Sequence, residues 1–175
     1  MRASYQSGIL GNQKERTDIK INIIEGLISI LFLAPILYYD IKEKKIPDLF
    51  TFSGMLAILA ARLLQGNFTL WCLVDGVVGF CLIWLFFIFS KGRIGLGDAK
   101  LSAFIAVIVG VWAWVLAIFI ASFFGLLFML IMIKLKKLTG KESIPFAPFL
   151  ILGGVASFLL KADIEAYING VINGI

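Results

Sequence analysis

No histidine occurs among the 175 residues, and the two cysteines, Cys72 and Cys81, share one apolar run. Zinc-type ligand clusters and histidine-based catalysis are thereby excluded, which leaves carboxylates as the strong proton-transfer groups. Charge is scarce too: 15% of positions are charged, against about 25% in a typical soluble domain. With 61% hydrophobic residues and a mean hydropathy of +1.00, the chain uses lipid as its solvent. The net charge of +5 does not point to nucleic acid, because the Lys and Arg lie between apolar runs instead of forming one basic face.

About 20 apolar residues at 1.5 Å each cross roughly 30 Å of hydrocarbon, and several stretches here qualify. Residues 1–20 are polar and without sustained period, and read as a flexible tail or an expression remnant. A first span is expected over 21–40, with a kink at Pro35; it is too long, and too poorly followed by small residues, for a cleaved signal peptide. A charged loop leads to a second span at 49–65, and Gly66-Asn67 turns the chain into a third at 70–90. The uncharged run 101–133 would overshoot a bilayer as one helix, so a break is expected around 110–114. A last span opens near Pro145 and reaches about residue 160, and 161–175 read as a short surface helix. The expected fold is all-α: a polytopic membrane domain over 21–175 with about six transmembrane helices.

Ten of the sixteen Lys and Arg fall in the loops after the first, third and fifth spans: Lys42, Lys44, Lys45, Lys91, Arg93, Lys100, Lys134, Lys136, Lys137 and Lys141. Arg62, Lys161 and four residues of the N-terminal tail make up the rest. The excess places the first set of loops in the cytoplasm.

Asp40 ends the first expected span and Asp98 begins the fourth, so both lie at one membrane boundary and can meet. Two close carboxylates cannot both ionise cheaply; one keeps a proton while the other acts as a base, the arrangement of aspartic proteolysis. Taken singly, each has an ordinary reading. Asp98, in Gly95-Leu96-Gly97-Asp98-Ala99-Lys100-Leu101, suits a helix N-cap, and its glycines permit unusual backbone and close approach of a peptide. Asp40 beside lysines suits interfacial solvation, and Asp48 suits the N-cap of the second helix.

Three blocks together resemble the type IV prepilin peptidases and archaeal preflagellin peptidases, membrane proteases with a Gly-x-Gly-Asp motif. They are Asp40 with Lys45-Ile46-Pro47-Asp48, then Gly95-Leu96-Gly97-Asp98-Ala99-Lys100-Leu101, then Ile144-Pro145-Phe146-Ala147-Pro148-Phe149-Leu150, where the family run has Gly in place of Ala147. The resemblance spans about residues 22–160. It implies Asp40 and Asp98 as catalytic residues, supported by Ile46, Pro47, Asp48, Gly95, Gly97, Lys100, Pro145 and Pro148, with no metal and no cofactor. It also implies cleavage of a short basic leader from a prepilin or pseudopilin precursor whose next segment is a hydrophobic helix; with the lysine count, the site is expected at the cytoplasmic face of the inner membrane. Larger bacterial members carry a domain with paired Cys-x-x-Cys motifs and N-methylate the new terminus. That motif pair is missing here, so a minimal peptidase is expected.

Other residues carry weaker signals. Glu25 and Asp75, near the far ends of the first and third spans, read as interfacial anchors, with a proton path as the functional alternative. Lys100 could favour ionisation of the neighbouring Asp98, and Gly79, Gly110, Gly125, Gly153 and Gly154 read as close-packing positions. A transporter would spread carboxylates through the membrane depth, whereas these cluster at two faces; a purely structural subunit leaves the glycine-flanked Asp98 unexplained.

Overall fold

A computed structural model describes the backbone of residues 2–89, 95–135, 145–172 and 174, and most side chains from Ile23 onward. Lys91, Gly92, Arg93, Lys136, Lys137, Thr139, Lys141 and Ile144 lie outside the described residues. The chain is helical throughout: α1 (Arg2–Glu43), α2 (Asp48–Leu64), α3 (Trp71–Phe89), α4 (Leu96–Val109), α5 (Val111–Lys134), α6 (Ala147–Leu159) and α7 (Lys161–Ile172). Helices occupy each expected span, and α1 begins earlier than expected. The polar first twenty residues, read as a flexible tail, carry helical backbone from Arg2 onward, since little in them but Gly8 and Gly11 breaks a helix.

Three helices are long and apolar enough to cross a membrane alone: Ile23–Glu43 of α1, α3 and α5. A fourth crossing arises if α6 and α7, bent 64° from one another, form one broken span. These spans make the chain a polytopic membrane protein, as expected. With 14 residues, α4 is only about 21 Å long. Eleven of those residues are buried, so protein rather than lipid covers this helix. Its neighbours are α3, α2, α6 and α5. Outside the bundle the surface is apolar, as at Leu31 (69% exposed) and Phe119 (69%), which marks a membrane protein.

The α4–α5 break falls at Gly110, whose φ of +82° only glycine adopts cheaply, so this glycine serves a turn and not close packing. Close packing is the role of Gly79, where a Cβ would sit 2.6 Å from Ala106 Cβ, and of Gly153, where it would sit 2.2 Å from the Ala117 carbonyl oxygen. Gly125 has only ordinary contacts. A polar strut crosses the same interfaces: Trp114 Nε1 donates to Ser102 Oγ (2.9 Å), which donates to the Gly79 carbonyl (2.9 Å).

Candidate active site

Asp40 lies one turn before the end of α1 and Asp98 in the first turn of α4, and both line one cleft of about 340 Å³ with Lys44, Lys45, Ile46, Asp48, Gly95, Gly97 and Lys100. Residues 58 apart in sequence are thus brought together by the packing of α1, α2 and α4. Both carboxylates are buried, Asp40 at 5% and Asp98 at 8% exposure. Asp40 Oδ2 finds no hydrogen-bond partner among the described residues. A buried carboxylate oxygen left unpaired is costly, and such groups concentrate where chemistry needs them. On α4, outside the three long spans, burial pushes the Asp98 carboxyl up to about 6; the charge of Asp40 adds to this, while the Gly95 backbone hydrogen bond opposes it.

The three sequence blocks converge here for local reasons. Asp98 is not the N-cap of α4: Gly95 holds that position, with an extended φ of −73° open to any residue. The Gly-x-Gly pair is therefore not needed for unusual backbone. Gly97 makes room instead, since a Cβ there would lie 2.9 Å from Ile46 Cβ, so the 44–48 loop packs directly on the turn that carries Asp98. Pro47, not Asp48, takes the N-cap position of α2, where its missing N–H costs nothing. Asp48, the first residue of α2, accepts a hydrogen bond from Lys100 Nζ at 2.6 Å. Lys100 is thus engaged by Asp48, contrary to the expectation that it would act on Asp98. The third block starts α6, with Pro148 in its first turn, and aims the backbone N–H of buried Ala147 at the Asp40 carboxylate. Pro145 precedes that turn without lining the cleft.

The sequence reading missed a second polar cluster at the far end of α4. Arg62 of α2 donates from Nε and Nη2 to both carboxylate oxygens of Glu25 (2.6 and 2.8 Å). It also donates to the carbonyls of Val107 (2.7 Å) and Ile108 (2.9 Å) and to Cys72 Sγ (3.0 Å). Lys161 Nζ adds a bond to the Ile108 carbonyl (3.2 Å). The last carbonyls of a helix have no partner within it, and here a guanidinium supplies one. Glu25, at 2% exposure, is therefore half of a buried ion pair and not an interfacial anchor. The signal in the sequence was a lone Arg and a lone Glu inside apolar spans. Asp75 likewise takes a structural role, accepting the Val111 N–H at the start of α5.

Among the described residues no group of three or more His, Cys, Asp or Glu is placed to hold a metal ion. The cleft offers two buried carboxylates, Asp40 and Asp98, with the exposed Asp48 paired to Lys100 beside them and two glycines in its wall.

Residues 27–130, which include both Asp40 and Asp98, match the type IV leader peptidase family. A prepilin leader peptidase/N-methyltransferase of Bacillus subtilis (strain 168) is 25% identical over 153 residues, covering 87% of this chain and 62% of that protein. A protein of the same name from Pectobacterium carotovorum subsp. carotovorum is 29% identical, covering 78% of this chain and 51% of its own. A type 4 prepilin-like proteins leader peptide-processing enzyme of Escherichia coli O78:H11 (strain H10407 / ETEC) is 34% identical over 131 residues, covering 70% and 46%. The chain thus spans about half the length of these relatives. No solved structure matches it. With more than half of its residues inside the family match, the chain belongs to the type IV leader peptidase family.

Proposed function

We propose that this chain is a membrane aspartic endopeptidase that removes the basic leader from prepilin-like precursors, with Asp40 and Asp98 as its catalytic pair. The observation that carries the reading is the pair itself: two buried carboxylates from different helices on one cleft, with one oxygen of Asp40 unpartnered among the described residues. The carboxylates share one proton and a water. The ionised partner takes a proton from the water as it attacks the scissile carbonyl, and the protonated partner donates to the carbonyl oxygen. The pair titrates as a unit, so its two steps belong to the dyad and not to either residue. The α6 N-terminus and the Ala147 N–H favour negative charge at the site. A cleft at the membrane boundary keeps water available while the apolar part of a substrate stays in lipid.

The purified chain in proteoliposomes, incubated with a full-length prepilin precursor, tests this by gel mobility and by the mass of the product. Asp40→Asn and Asp98→Asn are each expected to lower the cleavage rate by at least about a thousandfold, and exhaustive chelation is expected to leave it unchanged. Either variant cutting at the wild-type rate would overturn the assignment.

The lysine excess in the loops after the first, third and fifth spans supports a cytoplasmic cleft. In a Cys81→Ser background, a cysteine at Lys44 is expected to react with an impermeant thiol reagent only once the inner face is opened, and one at Asn67 from outside. The opposite pattern would invert the orientation.

A further inference from the structure

A groove of about 360 Å³ runs between α1, α4 and α6. Its walls include Gly26, Ala34 and Leu37 of α1, Ile105 and Val109 of α4, and Gly154 of α6. The stretch from Gly26 to Leu37 extends about 16 Å along α1. Asp40 follows Leu37 by three residues and Asp98 precedes Ile105 by seven, spacings that keep each Asp on the groove face of its own helix. The groove therefore begins within about a turn of the cleft on α1 and two turns from it on α4. The same three helices build both, since α1 and α4 supply the carboxylates and α6 aims its first N–H at Asp40. Exposed Val155 and Leu159, at 46% and 75%, open its rim to the apolar exterior.

We propose that this groove seats the apolar helix that follows the scissile bond of a precursor substrate, an inference that rests on the peptidase reading above. A segment in hydrocarbon must satisfy its own backbone and so arrives as a helix. In lipid no apolar transfer drives association; contact depends on close van der Waals fit, which the small, exposed side chain of Ala34 permits. The groove runs from the cleft toward the Glu25–Arg62 end, so a precursor cut at the two carboxylates has its downstream helix in line with it. A lipid chain or a second copy of this chain would have no reason to be aligned with the catalytic pair.

The test compares two substrates: a full-length precursor, and a short leader peptide that spans the cut but lacks the apolar helix. Ala34 is exposed on the groove wall, so Ala34→Trp fills the groove from outside without displacing the core. The variant is expected to lower the preference for the full-length precursor over the short peptide by about tenfold or more, through KM. Independently of that variant, a photo-cross-linking residue at Val155 in the Asp98→Asn protein is expected to capture the apolar helix of the precursor. An unchanged preference, or cross-links only to lipid or to a second copy, would overturn the proposal. Equal cleavage of the two substrates by the wild type would do the same. If the wild type cuts neither, the peptidase reading itself has failed.

Discussion

Helix α1 carries one buried carboxylate near each end of its apolar part: Glu25, tied through Arg62 to the end of α4, and Asp40, which lines a cleft with Asp98 at the start of α4. At the Glu25 end every charge is answered: the carboxylate takes two bonds from Arg62, and Arg62 spends its remaining donors on the last carbonyls of α4 and on Cys72. At the Asp40 end a second carboxylate lines the same cleft, one Asp40 oxygen has no partner among the described residues, and burial raises the Asp98 carboxyl to about 6. The first arrangement fixes where α4 ends. The second leaves polar groups underused beside a cleft, as a site that must accept water and peptide requires. Burial and residue type alone do not separate these ends; the count of satisfied hydrogen bonds does.

The largest effect on folding is expected at the satisfied end. Arg62→Met strands the Glu25 charge and two helix-terminal carbonyls, and should cost about 3–5 kcal/mol of stability. The double change Arg62→Met with Glu25→Gln should recover part of this. Thermal unfolding in one detergent measures both, and an unmoved transition for the single variant would show that the cluster holds nothing together.

A smaller effect, and on activity, is expected from Gly97→Ala. The added methyl meets Ile46 and shifts the loop beside Asp98; overpacking of this kind costs about 1–3 kcal/mol of stability, and the displaced loop is expected to lower the cleavage rate roughly tenfold. Ile46→Ala in the same chain should restore part of the rate, and its failure to do so would show that Gly97 serves some purpose other than space.

The smallest is expected from Asp48→Asn. Its side chain is 59% exposed, and such surface pairs contribute about 0–1 kcal/mol, so cleavage should stay within about fivefold of wild type. A loss comparable to that of Asp98→Asn would move Asp48 into the catalytic set.

Much of the Asp40 end was legible in the sequence, because membrane crossings are readable from hydropathy and an even number of them puts Asp40 and Asp98 on one side. The break at Gly110 was legible too, since a run of more than thirty apolar residues exceeds any bilayer. What was hidden depends on side-chain contacts between distant segments. Nothing in the spacing of Glu25 and Arg62, 37 residues apart, says that they pair. Lys100 sits two residues from Asp98 yet reaches Asp48, 52 residues away. Hydropathy likewise measures how apolar a segment is, not whether lipid or protein covers it. The buried, 14-residue α4 is covered by protein.

The contrast between the two ends is tested most directly by unfolding wild type and Asp98→Asn across pH 4 to 8 in one detergent, with cleavage assayed on the same samples. The folded-state value of Asp98 is raised from 3.8 to about 6, so its stabilising contribution is present below about pH 4 and is lost as pH rises through 6. The arrangement predicts that Asp98→Asn cuts nothing, matches the wild type in stability near pH 4, and is the more stable of the two above pH 6. A variant less stable than wild type at pH 7, or one that still cleaves, would contradict it.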